Sequence, residues 1–289
     1  MRNIIVATDF STRSDRAIRR GLLLAKASKT ALTLVHAVDD DQPQHLIDME
    51  SAQARLLLEA QADTLHKLDG VDASHRIVLG DPFTSIAAAA EEEGSDILIV
   101  GPHRRQLLKD IFVGTTAERI IRTCRAPVIM ANATPVAPYK HILVAIDLSE
   151  NSAEALRFAA NIDWGEKPAI SVFHGFDAPE RVMRGSYAVS EADVKRFLDQ
   201  ADARACAEVA SFLHKHKVRP VRRIVKMIEA EPAAMIRSTA QEIGADLLVV
   251  GRRGSSGLAR LILGSVAEAV LRDSQIDVLA VPDASAKTG

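Results

Sequence analysis

Gly251-Arg252-Arg253-Gly254, followed after nine residues by Gly264-Ser265, is the stretch of this 289-residue chain whose residue types and spacing best suit chemistry. The chemistry is anion binding. Glycine lets backbone approach a ligand closely, since no Cβ stands between them. A helix start adds N–H groups without intrahelical partners and the positive end of a dipole. Such a glycine spacing arises easily by chance, so its context carries the weight. The apolar run Leu247-Leu248-Val249-Val250 precedes Gly251, and a helical pattern runs from Val266 to Arg272. Strand, glycine loop and helix start, in that order, make a phosphate cradle. Arg252 and Arg253 place positive charge beside it.

Other polar residues invite weaker readings. Asp9 and Asp147 end apolar runs and could serve as general bases. His36 and His174 end matching runs and read as packed rings near the mouth of a site. His214 and His216 lie two apart near a helix end, so they share no helix face. They read as a solvated end and not as a metal pair. Glu91-Glu92-Glu93 reads as a solvated helix face. The two cysteines, Cys124 and Cys206, are far apart and read as thiols of a reducing compartment. No Walker lysine motif, Gly-x-Ser-x-Gly elbow or zinc-protease helix occurs.

The elements that must position these residues occur twice. Ile4-Ile5-Val6-Ala7-Thr8-Asp9-Phe10-Ser11 recurs as Ile142-Leu143-Val144-Ala145-Ile146-Asp147-Leu148-Ser149, and the segment Ile86 to Gly101 recurs as Ile236 to Gly251. Pro82 pairs with Pro232, and Gly114 with Gly264. The offset grows from 138 to 150, so the second copy carries about twelve extra residues between His174 and Pro232. Residues 132–138, with two prolines, read as a linker. This places one domain at 1–134 and a second at 138–284, and the length suits two domains. In the first copy strands are expected near 3–8, 31–37, 74–79, 95–101 and 126–131, with helices near 13–28, 47–68, 83–93 and 115–124. In the second, strands fall near 140–146, 168–174, 219–226, 245–251 and 276–281, with helices near 151–162, 190–216, 233–243 and 265–273. The strands are continuously apolar, as in Ile97-Leu98-Ile99-Val100, which is how strands buried on both faces read. The class is therefore α/β, a parallel sheet with helices on both faces. Ligands on such sheets bind beyond the carboxyl ends of the strands.

The net charge of −2 gives no reason to expect nucleic acid as a partner. No apolar run approaches the ~20 residues that cross a bilayer. Asp9 interrupts the first apolar run, against a secretory signal. A cytoplasmic protein without membrane association is the expectation, and the tail 283–289 is expected to be mobile.

On the repeated strand with its aspartate, and on Gly251-Arg252-Arg253-Gly254 through Gly264-Ser265-Val266, the chain resembles the universal stress proteins over essentially its whole length. The loop is similar to the family's ATP-binding signature. The resemblance implies two tandem five-stranded parallel sheets, each in strand order 3-2-1-4-5, arranged as a pseudo-dimer paired through their last strands. It implies that ATP, with Mg2+ where required, binds in the second half. Asp147 would meet the ribose or adenine side and Gly175 backbone the adenine. Gly251, Arg252 and Gly254 would wrap the phosphates, which Gly264, Ser265 and Val266 would cap. The first half keeps Asp9, Gly101, Gly114 and Thr115 but has Pro102 and Arg104 in the loop. Proline removes a donor and Arg104 replaces a glycine. The first half is therefore expected to bind weakly or not at all, the rival being that Arg104 itself grips a phosphate. The function expected is a nucleotide-binding stress regulator with at most slow hydrolysis. The alternatives are an adenylating enzyme with a substrate pocket built from residues 177–189, or an interaction module whose sites have decayed. Pairing of the halves within one chain is expected, and a homodimer is left open.

Overall fold

A computed structural model gives the fold, and residues 1, 3–102, 115–178, 190–218, 221–253 and 263–283 are described. Each half runs through the same alternation. The first contains β1 (Asn3–Ala7), α1 (Ser14–Ser28), β2 (Ala31–Val38), α2 (Gln44–Asp69), β3 (Ala73–Leu79), α3 (Pro82–Glu92), β4 (Ile97–Val100), α4 (Thr116–Thr123) and β5 (Val128–Met130). The second contains β6 (His141–Ala145), α5 (Glu150–Asn161), β7 (Ala169–Phe176), α6 (Glu191–Lys215), β8 (Arg222–Met227), α7 (Pro232–Glu242), β9 (Leu247–Gly251), α8 (Ser265–Asp273) and β10 (Asp277–Val281).

The two five-stranded sheets are joined. Strand order is β3-β2-β1-β4-β5-β10-β9-β6-β7-β8, so each half has the order 3-2-1-4-5 from its outer edge in to a shared centre. Within each half the strands are parallel. Among the described residues only the central pair is antiparallel, with Leu279 opposite Ile129. Two last strands related by a pseudo-twofold must meet this way, and the pairing buries both edges that would otherwise be open to other chains.

Successive strand residues point to opposite faces. Ile4, Val6, Leu32, Leu34, Ile97 and Ile99 pack with Leu24, Leu58 and, in the second half, Leu156 and Val209. That face carries α1, α2, α5 and α6. Ile5, Val35, Leu98 and Val100 pack with Ile86, Ile120 and Ile121, and on the second half with Ile236, Val270 and Leu271. That face carries α3, α4, α7 and α8.

The stretch read as a linker is tied down at the seam. Asp277 accepts hydrogen bonds from Arg20 Nε and Tyr139 Oη, both at 2.7 Å, and from the Ala133 N–H at 3.0 Å. Arg20 also donates to the Ala137 carbonyl at 2.9 Å and lies over the Tyr139 ring. The Arg20 and Asp277 side chains are almost fully buried. Burial pushes the Asp277 carboxyl up despite Arg20, and pushes Tyr139 well above its ordinary value.

Candidate functional site

Both halves build the same corner where β1 or β6 ends. Asp9 Oδ1 accepts from the Ser11 N–H, as Asp147 Oδ1 does from Ser149, and each serine hydroxyl also donates to its aspartate. The residue between, Phe10 or Leu148, takes a left-handed conformation with φ near 60°. A residue with a Cβ is strained there, by about 1 kcal/mol or more. The turn is held by what surrounds it. Ser149 caps α5 by accepting from the Ser152 N–H. At Asp9, burial opposes ionisation, but hydrogen bonds from Ser11 and Ser14 prevail and hold the carboxyl below its ordinary value. The strained residue was not legible from the sequence, although its repetition directly after each aspartate was a signal.

The two histidines are packed, as their positions suggested. His174 Nδ1 bonds the Ile146 carbonyl at 3.0 Å and His36 Nδ1 the Thr8 carbonyl at 2.8 Å. A carbonyl only accepts, so Nδ1 carries the proton in both rings.

In the second half a cleft of about 390 Å³ opens at the carboxyl ends of β6, β7 and β9. This is within the size of small-molecule pockets, roughly 300–1,000 Å³. Asp147, His174 and Gly175 line it together with Gly251, Arg253, Gly264, Ser265 and Val266. Its lining includes the apolar Phe173, Ile228, Met235 and Ile236. It also includes the start of α8. There Gly264 is the N-cap residue and has no side chain with which to satisfy the first helical N–H groups. The helices α3, α5, α6 and α7 are each capped by the side chain of Asp81, Ser149, Ser190 or Glu231.

The first half differs at this point. Its helix α4 starts one residue later relative to the repeat, so Thr115 itself is the N-cap. The Thr115 hydroxyl accepts from the Glu118 N–H at 3.2 Å and uses one of the orphan donors. Gly101 lies at the end of β4, while Arg104 and Gly114 fall outside the described residues, as does Gly254 in the second half. Of the region 177–189, only Asp177 and Ala178 are described.

Arg252 corrects the expectation placed on it. Its side chain is only 7% exposed and leaves the cleft for the other half. Nη1 donates to the carbonyls of Ile121 at 3.0 Å, Arg122 at 3.1 Å and Cys124 at 2.8 Å, at the end of α4. The backbone of Arg252 is committed too. Its N–H donates to the Val281 carbonyl, and its carbonyl accepts from the Gly264 N–H at 2.8 Å. The physical reason is the unpaired carbonyls at a helix C-terminus, which attract a cation. The Gly264 N–H is thus engaged as well, leaving the amides from Ser265 onward to face an anion. Arg253 does line the cleft, where its Nη2 lies 2.6 Å from Asp283 Oδ2. Asp283 is buried, against the mobile tail expected from 283, while 284–289 lie outside the described residues.

His216 is also corrected. It is not at a solvated end: its side chain is 6% exposed, and its Nδ1 accepts from Arg157 Nη1 at 2.9 Å. Among the described residues no cluster of His, Cys, Asp or Glu could hold a metal ion, and no helix is long and apolar enough to cross a membrane.

Comparison with known proteins places this architecture. The sequence model of the universal stress protein family matches twice, over residues 1–132 and 138–282. Universal stress protein A homolog 1 of Coxiella burnetii is 31% identical over 144 residues, covering 50% of this chain and 96% of that protein. A universal stress protein of Mycobacterium tuberculosis is 21% identical over 292 residues, covering 96% of this chain and 95% of its own. Among solved structures, a universal stress protein from Archaeoglobus fulgidus superposes with a TM-score of 0.72 at 21% identity, covering 97% of this chain and 98% of that one. With two matched domains joined in one ten-stranded sheet, the chain belongs to the universal stress protein family as a tandem member.

Proposed function

We propose that the second half binds an adenine nucleotide, ATP with Mg2+, and that the protein serves as a nucleotide-responsive regulator in the stress response of the cytoplasm. The observation that carries this reading is the uncapped start of α8 in the wall of the cleft. Amides at a helix start favour a phosphate group. The apolar lining, with Phe173, Met235 and Ile236, suits a flat base, and Gly175 offers backbone to its edge. Asp147, beside it, would take the ribose or base side. Mg2+ would arrive on the nucleotide's own phosphates, as it commonly does, and would need no dedicated protein cage.

Fast hydrolysis is not expected. Among the described residues Asp147 is the acid lining the cleft, and one of its oxygens already accepts both the N–H and the hydroxyl of Ser149. It is placed as an acceptor and not as a base toward water. In the first half, Pro102 and the self-capping Thr115 leave fewer donors for an anion.

Calorimetric titration of the full-length protein with MgATP tests the proposal. One site per chain is expected, lost in Gly264→Asp, which sets a carboxylate against the phosphates. Two sites would mean that the first half binds through its own residues, Arg104 among them. Undiminished affinity in Gly264→Asp would place the ligand elsewhere.

A further inference from the structure

We infer that Arg252 lets the first half control the second half's anion site, acting as a positioning residue that never touches the ligand. This rests on the proposed nucleotide reading of the cleft and concerns its regulation. Three hydrogen-bonded steps make the connection. The α4 carbonyls of Ile121, Arg122 and Cys124 hold the Arg252 guanidinium. The Arg252 carbonyl holds the Gly264 N–H at 2.8 Å. The Gly264 carbonyl in turn accepts the Glu268 N–H at 2.8 Å, the bond that opens α8. The amides of Ser265 and Val266 are therefore aimed from an anchor in the other half of the chain.

The anchor is well made. The last carbonyls of α4 have no helical partners of their own, and a buried cation at a helix C-terminus is favoured by both hydrogen bonding and the dipole. Burial lowers the Arg252 pKa, against the pull of Asp283, yet an arginine stays charged. The arginine that makes the link is present in one copy only. Arg252 corresponds in the repeat to Pro102, which has no donor to offer the end of α8. A second cross-contact, Arg122 Nη2 to Glu268 Oε2 at 3.4 Å, joins α4 to the first turn of α8 and reinforces the same link. Moving α4 relative to the second half must therefore move the start of α8. Conversely, an anion that fixes α8 strengthens the docking of the halves, because coupling between two sites is reciprocal.

The experiment compares Arg252→Ala and Arg252→Lys with the wild type, all full length. Affinities for MgATP and for adenosine are measured by calorimetry, and hydrogen exchange is followed at residues 264–268 without ligand. Arg252→Ala is expected to weaken MgATP by about tenfold and adenosine far less, a difference that a general loss of stability would not produce. Arg252→Lys should recover most of the loss, since an ammonium has three donors for three carbonyls. Exchange at 264–268 should speed up in Arg252→Ala alone. Equal weakening of MgATP and adenosine, or unchanged exchange at 264–268, would overturn the inference. If the wild type binds neither ligand, the nucleotide reading fails, and the exchange comparison still decides whether Arg252 fixes the start of α8. Should Arg252→Ala fail to fold, Arg252→Gln provides the same comparison.

Discussion

Gly101 and Gly251 are glycines because protein backbone, and not a ligand, occupies the space a Cβ would need. At Gly101 a Cβ would lie 2.9 Å from the Arg13 carbonyl oxygen, and at Gly251 it would lie 3.2 Å from that of Asn151. The start of α1 or α5 packs against the strand end at these points. The sequence pattern singled out both glycines, and Gly251 lines the cleft, but spacing alone cannot distinguish close approach of an anion from close approach of a neighbouring helix start. Overpacking against backbone costs roughly 1–3 kcal/mol. Gly101→Ala should therefore lose stability within that range in urea unfolding, and Gly251→Ala should lose less, since its neighbours are farther away. Equal losses would show that something other than these contacts sets the requirement. Arg252 was misread for a related reason. Its type and place suited a phosphate, while the carbonyls that hold it lie about 130 residues away in the other half. The one hint in the sequence was that its repeat partner is Pro102.

At the scale of elements, much more was legible. The continuous apolar runs became the strands buried on both faces, and the prolines at 82 and 232 each open a helix as N-terminal residues. Helix ends were harder to read. The one-residue difference between Thr115 as cap and Ser265 as first helical residue changes which amides remain for a ligand, and aligned sequences look alike there. The end of α6 was read as solvated, but His216 turns in to accept from Arg157, which also pairs with Glu150 and Glu154 of α5. Burial first, with Arg157 and Lys215 adding to it and Glu150 opposing, lowers the His216 pKa below 6.5. A base whose folded pKa is lowered takes its proton more readily when unfolded. Its contribution to stability is thus complete above the unfolded value of about 6.5 and is lost as pH falls through that value toward the folded one. Urea unfolding at about pH 7.5 and about pH 5.5 should show this loss, and His216→Gln should show a smaller difference between the two. A variant with an undiminished pH difference would assign the effect to other groups.

The molecule as a whole depends on a polar lock beside the apolar strand pairing of its seam. The β5–β10 pair, with Val128, Ile129 and Met130 against Val278, Leu279 and Ala280, would be equally satisfied by a half from a second chain. What distinguishes the intramolecular partner is the linker. Ala133, Ala137 and Tyr139 all bond into the Arg20–Asp277 pair, which joins α1 of the first half to β10 of the second. A buried ion pair is weak evidence for stability, but removing one partner strands the other without solvent, at roughly 3–5 kcal/mol. Asp277→Ala would strand the Arg20 guanidinium, the Tyr139 hydroxyl and the Ala133 N–H together. Urea unfolding should record a loss in that range. Gel filtration should also show dimers that increase with concentration, as halves exchange between chains once the linker no longer selects its own. Arg20→Met combined with Asp277→Leu removes the stranded charge and should recover much of the stability but not the selectivity, so its dimers should persist. A monomeric Asp277→Ala with less than about 1 kcal/mol of loss would mean that contacts other than this lock set both the strength and the partner of the seam.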